Sequence, residues 1–264
     1  MAKGYTAIRI QCGVPGLPDV YGTGKLSITP HGAADSLPQT EIWSTDKYAA
    51  HLPRVFEAVR GKFGAEVSLL HDVHHRLTPM EAARLCRSVE PYRPFWMEDP
   101  TPSELQEGFR TIRRNTVVPL ATGEINESIW GVKTLLEEQL VDYVRCTPAH
   151  AGGITHVKRI VDLAALHQIR SGFHGAADLS PVAIVACLHL GMAINNFGIQ
   201  EYMGHPPEIG EVFRVSYRQR AGRMHPGDAP GLGVEFDASA AARFPYVRAY
   251  LPVARLEDGT LWHY

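Results

Sequence analysis

Apolar residues along the chain gather in short runs separated by longer amphipathic stretches. The runs YTAIRIQ (5–11), EVSLLHD (66–72), PFWMED (94–99), VPLATGE (118–124), LVDYVRC (140–146), IRSGFH (169–174) and FGIQEY (197–202) read as strands. Their apolar positions are continuous rather than alternating, the pattern of parallel strands covered on both faces. Between them the period changes. Leu52, Val55, Phe56, Val59 and Phe63 recur with helical spacing and stop at Gly64, a helix-terminating residue. Thr78 to Glu81 reads as a capping box with Pro79 at the first helical position, opening a helix through Cys86 and Val89. Ile154, Val157, Val161 and Ala164 mark another helical face, and helices also fit 104–113, 126–138 and 181–194.

Strand followed by helix, repeated, predicts a parallel sheet covered by helices. The polar residues sharpen this. Asp72, Glu98 and Glu124 each fall at the C-terminal end of a strand, at equal steps of 26 residues. Arg145, His174 and Glu201 continue the series at later strand ends. In a (β/α)8 barrel that end of the strands carries the chemistry. A doubly wound sheet alternates in the same way but does not aim six successive strand ends at one point. The expected fold is therefore a TIM-type (β/α)8 barrel, incomplete, with about seven βα units. Residues 12–50, rich in Gly and Pro and without periodicity, read as a loop. Residues 1–205 would form the barrel, and 206–264, with the turn-rich HPGDAPGLGVEFD, a C-terminal extension packed on it.

Composition narrows the partners. Of 264 residues 45% are hydrophobic and 20% charged, which suffices for a sizeable core, and the formal net charge of −2 leaves no electrostatic footprint for nucleic acid. Cys12, Cys86, Cys146 and Cys187 form no CxxC pair, so they read as reduced thiols rather than a disulfide framework or zinc site. There is no apolar run of about 20 residues to span a bilayer. A cytoplasmic protein with no nucleic-acid or membrane partner is expected.

Three carboxylates on neighbouring strands make an oxygen-rich pocket, and like charges packed that closely call for a cation, with Mg2+ the natural occupant. Each acid alone reads more simply as a helix cap or an arginine partner. A common interval is not what that simpler reading predicts. Asp72 and His74 lie two apart on a strand and so share a face, with Asp72 as metal ligand and His74 as proton carrier. His71 and His75 point elsewhere and read as structural. The spacing HDVH does not match the HxH metal pattern. VYGTGKL (20–26) lacks phosphate-loop spacing, and His150, His156, His167 and His189 read as surface or packing residues.

The segments GYTAIRIQCGVPG, HDVHHRLTP, FWMEDPTP, LATGEINE, DYVRCTPAHAGGIT, FHGAADLSPV and PGLGVEFD, taken in order, resemble the mannonate dehydratase subgroup of the enolase superfamily. The resemblance covers nearly the whole chain. It implies a Mg2+-dependent barrel that dehydrates a hexonic sugar acid such as D-mannonate to a 2-keto-3-deoxy acid, with D-gluconate or another sugar acid as the alternative. It implies Asp72, Glu98 and Glu124 as the metal ligands, Tyr21 with Arg9 as the base, and His74 as the acid. His74, Glu124, Arg145, His174, Asp178 and Glu201 match substrate-contacting positions.

Two departures shape the expectations. Family members begin with an α+β capping domain and a first barrel strand, and GYTAIR corresponds to the second strand. A truncated barrel with an open seam is therefore expected, one that pairs its edges with another copy in a homo-oligomer, closes up as a distorted barrel or stays poorly soluble. Its activity would be weak or absent, and a non-catalytic pseudo-enzyme is the competing reading. Tyr264 stands where the family tends to place a tryptophan, and Ala176 lies where subgroup members differ, leaving the sugar acid open.

Overall fold

A computed structural model describes residues 3–20, 40–246 and 252–262. In chain order its elements begin with β1 (Ala7–Arg9), β2 (Thr40–Trp43), α1 (Thr45–Phe63), β3 (Ser68–Asp72), α2 (Pro79–Val89), β4 (Trp96–Glu98) and α3 (Gly108–Asn115). There follow β5 (Leu120–Thr122), α4 (Lys133–Glu137), β6 (Tyr143–Val144), α5 (Ile154–Leu166), β7 (Arg170–Phe173), α6 (Pro181–Ala193) and β8 (Phe197–Gln200). The rest are α7 (Ile209–Val212), β9 (Phe213–Val215), β10 (Arg218–Arg220), β11 (Arg223–His225), β12 (Val234–Phe236), α8 (Ala238–Ala241) and β13 (Val253–Leu256). Each of the seven apolar runs contains a strand. The chain divides into two compact units: residues 7–102, 111–118 and 246–264 form the first, and residues 1–6, 103–110 and 119–245 the second.

In the first unit β3 lies between β1 and β4, all parallel, with Arg9 opposite Leu70 and Asp72 opposite Glu98. Helix α1 buries Tyr48, Leu52 and Phe56, one stripe at four-residue spacing, and ends at Gly64, whose φ of 67° suits glycine. Helix α2 opens with the expected capping box: the Thr78 side chain accepts from the Glu81 amide, and the Glu81 carboxylate accepts from the Thr78 amide. The expected loop through residue 50 is corrected at its end. Residues 40–43 form β2, paired in parallel with β13, and α1 already begins at Thr45. Four residues give too little alternation to announce a strand, and the partner that stabilises it lies at the other end of the chain.

In the second unit β5, β6, β7 and β8 pair in sequence order, all parallel, with a register irregularity at Ser171 and Gly172. Helix α5 packs on β7 and α6 on β8. Buried Val157, Ile160, Val161 and Ala164 form the inner face of α5. Helix α6 is apolar nearly all round and starts at an N-cap in which Ser180 accepts from the Ala183 amide. The helix expected over 126–138 is confined to Lys133–Glu137. Ahead of it the Asn126 side chain donates to the Gly131 carbonyl and accepts from the Ser103 hydroxyl, which ties the chain into turns. Beyond β8, the pairs β9–β12 and β10–β11 are short antiparallel ribbons. Among the described residues no helix is long and apolar enough to cross a membrane.

Candidate functional site

The parallel register of β3 and β4 sets two carboxylates side by side. Asp72 and Glu98 end their strands as direct partners, 4% and 1% exposed. The Gln11 side chain grips the Asp72 backbone, donating to its carbonyl at 2.9 Å and accepting from its amide at 3.3 Å. Trp96 Nε1 donates to Glu98 Oε2 at 3.0 Å. Arg9, the last residue of β1, places Nη1 3.4 Å from Asp72 Oδ2 and 4.0 Å from Glu98 Oε1. Asp99 follows directly, fully buried, and one carboxylate oxygen from each of Asp72, Glu98 and Asp99 lies within 4.8 Å of the other two. Buried Asp72 Oδ1 has no hydrogen-bond partner. Hard oxygen donors, excess negative charge and an open carboxylate oxygen fit a divalent cation such as Mg2+.

The chain turns sharply after Asp72. His74 and His75 both take left-handed backbone conformations, with φ of 60° and 64°, and Asp99 does so at 40°. The expectation that His74 shares a strand face with Asp72 is corrected here, because the strand stops at Asp72 and the turn, not the two-residue period, aims His74. Histidine and aspartate are among the side chains that tolerate this region, at a cost of about 1–3 kcal/mol each when surrounding structure enforces it. His71 is structural, as expected. Burial pushes its pKa down to about 4, so the ring is neutral. Its Nδ1 donates to the Ile10 carbonyl at 2.6 Å, which leaves Nε2 to accept from the Tyr48 hydroxyl at 2.5 Å. Tyr21 and Tyr264 lie outside the described residues.

The second unit carries its own cluster at the same ends of its strands. Arg145, fully buried, donates to the Gly172 and Phe173 carbonyls and places Nη2 2.7 Å from Glu201 Oε2 and 3.7 Å from Glu124 Oε2. His174 Nδ1 is 3.0 Å from Glu124 Oε2 and 3.2 Å from Glu201 Oε2. Burial by itself would lower the His174 pKa, but hydrogen bonds to Glu124 and Glu201 outweigh it and raise it to about 10. At neutral pH two cations thus face two carboxylates. Gly175 is required by close packing: a Cβ there would stand 1.9 Å from the Glu201 carbonyl oxygen, and the Gly175 amide donates to Glu201 Oε2 at 3.0 Å.

Four of the expected substrate contacts, Glu124, Arg145, His174 and Glu201, therefore meet in one cluster. Asp178 does not join them: it is exposed in the turn at 177–178. His150, read from the sequence as surface or packing, reaches this cluster instead. Its Nδ1 is 2.6 Å from the Glu124 carbonyl oxygen, and its ring stacks 6.2 Å from that of His174. Its place in the loop after β6, behind Arg145, was the available signal.

The family model described as enolase C-terminal domain-like matches residues 1–240. The chain belongs to this family. It is 56% identical over 263 residues to a D-mannonate dehydratase of Sphingomonas sp. (strain SKA58) and 54% identical over 263 residues to D-mannonate dehydratase Caul1427 of Caulobacter sp. (strain K31). Each match takes in 100% of this chain and 65% of the relative, so the chain spans about two thirds of the length of these relatives. An enolase from Pantoea ananatis with bound D-gluconate and Mg superposes with a TM-score of 0.85 at 32% identity, over 99% of this chain and 65% of that one. Membership and this likeness carry the expected fold class, the α/β barrel of the enolase superfamily, with seven of its parallel strands described in this chain.

Proposed function

We propose that the chain dehydrates a hexonic sugar acid in a Mg2+-dependent reaction, with D-mannonate as the substrate and a 2-keto-3-deoxy acid as the product. The observation that carries this reading is the buried Asp72–Glu98 pair at adjacent strand ends, with Asp72 Oδ1 open to a ligand. The identity of 54–56% to curated D-mannonate dehydratases supports the substrate class. The D-gluconate held by the Pantoea ananatis enolase makes that acid the alternative. The same reading makes the chain a cytoplasmic homo-oligomer.

Asp72, Glu98 and Glu124 would hold Mg2+, which supplies charge stabilisation for a substrate carboxylate while the neighbouring carbon loses its proton. Tyr21 takes that proton from C2. A tyrosine of pKa about 10 needs a neighbouring cation to do this at neutral pH, and Arg9 is the candidate. His74 gives a proton to the departing 3-hydroxyl, which leaves as water. The resulting enol becomes the 2-keto acid. Arg145, with His174 held as imidazolium, presents donors to sugar hydroxyls, and Glu124, Glu201 and Asp178 present acceptors.

A screen of hexonic acids with Mg2+, read by formation of the 2-keto-3-deoxy product, tests the proposal. Turnover with D-mannonate that disappears in the His74→Asn, Tyr21→Phe double variant supports it. Undiminished turnover in that variant removes the mechanism, and a silent screen with Mg2+ bound favours a non-catalytic member of the family.

A further inference from the structure

The structure points to a positioning role for His75 and for Asp99, the latter also one of the three grouped carboxylates. The β3–β4 ladder does not end at its last register pair, Asp72 and Glu98. It continues as a zipper of backbone bonds: the Val73 amide donates to the Glu98 carbonyl at 2.9 Å, and the His75 amide to the Asp99 carbonyl at 2.7 Å. Beside the second bond, His75 Nε2 stands 3.4 Å from Asp99 Oδ2. Both side chains are withdrawn from solvent, at 11% and 0% exposure. His74 is thus the single residue between two pinned ones, half-buried itself, and all three of His74, His75 and Asp99 hold left-handed backbone.

A turn of two consecutive left-handed residues without glycine persists only where the surroundings over-determine it. The Asp99 side chain, fully buried, stands against the second of them at ion-pair distance. We propose that the His75–Asp99 contact is a positioning clamp that fixes the 73–75 turn and so aims His74 at the leaving hydroxyl. This rests on the dehydratase reading for the role of His74, while the clamp itself is a statement about the turn. Neither His75 nor Asp99 touches the reacting atoms in this account. Misplacing a proton donor by about an ångström costs on the order of 100-fold in rate without weakening ground-state binding.

The test compares wild type with Asp99→Asn, which removes the negative charge of the contact, His75→Asn, which removes its imidazole, and the double variant, since asparagine tolerates left-handed backbone. In His75→Asn, kcat is expected to fall about 10- to 100-fold, while KM for the sugar acid and Kd for Mg2+ stay within about threefold. The double variant should be no worse than the worse single one, because both remove the same contact. Amide exchange at His74 and His75 should quicken about tenfold or more, with helix α1 unchanged. A Mg2+ Kd raised by more than about tenfold in Asp99→Asn would make Asp99 a ligand and overturn the proposal. So would exchange that quickens throughout the unit with kcat and KM moving together, since that marks a general structural role. If the wild type turns over no sugar acid, the dehydratase reading fails and the exchange result alone decides the clamp: acceleration confined to the turn upholds it, and unchanged exchange sinks it.

Discussion

His174 Nδ1 lies 3.0 Å from Glu124 Oε2 and 3.2 Å from Glu201 Oε2, so one imidazole bridges a buried carboxylate and a partly buried one. Arg145 closes the same cluster, so two cationic groups face two carboxylates. Replacing His174 by Asn would leave two carboxylates sharing one guanidinium. A loss of about 3 kcal/mol is expected, read as a lowered urea midpoint, because a broken buried pair leaves charge uncompensated. Arg145→Lys should cost a similar amount, since one ammonium cannot reproduce the fork that holds Glu201 and two backbone carbonyls.

The Tyr48–His71 contact ties α1 to the central strand of the first unit, and Ile10 completes the chain of bonds. Tyr48→Phe removes the donor but leaves neutral His71 Nε2 buried. The expected cost is about 1–3 kcal/mol in denaturant unfolding, the usual penalty for a buried acceptor left without its partner.

Burial pushes the Cys86 and Cys187 thiols up to about 12, and Cys146 upward as well. A raised native pKa means that the unfolded thiols ionise first as pH rises, so the unfolded state then binds fewer protons and stability falls. This contribution is fully present below about pH 8.5, the ordinary thiol value, and is lost as pH climbs toward the native values. Urea midpoints should fall between about pH 8 and pH 10.5. A thiol-labelling reagent at about pH 8 should leave these three untouched in the native protein and reach only the half-buried Cys12.

The capping box at α2 gives a small, clean test. Thr78→Ala removes the acceptor for the Glu81 amide and should lower stability by about 1 kcal/mol in thermal or urea unfolding.

The seven central strands were legible because each is a continuous apolar run, and the helices because their faces repeat with one period. The interval of 26 residues between Asp72, Glu98 and Glu124 is likewise a property of the linear chain. Pairing between distant segments is not. Strand β2 depends on β13, more than two hundred residues away, and its own four residues carry no usable period. Nor does positive φ show itself in a histidine. The HDVHH stretch therefore reads as a strand continuing through His74, although the backbone has already turned. His150 stayed hidden for a related reason: its bond is to the backbone of Glu124, in a different loop.

The proposed function is Mg2+-dependent loss of water from a hexonic acid. The most direct measurement is formation of the 2-keto-3-deoxy acid from D-mannonate by the purified chain, followed with Mg2+ and after its removal by chelator. The expected result is product that requires Mg2+, returns when Mg2+ is restored, and is lost in Glu98→Gln while the circular dichroism spectrum is unchanged. Product formed equally well without Mg2+, or undiminished in folded Glu98→Gln, would contradict it.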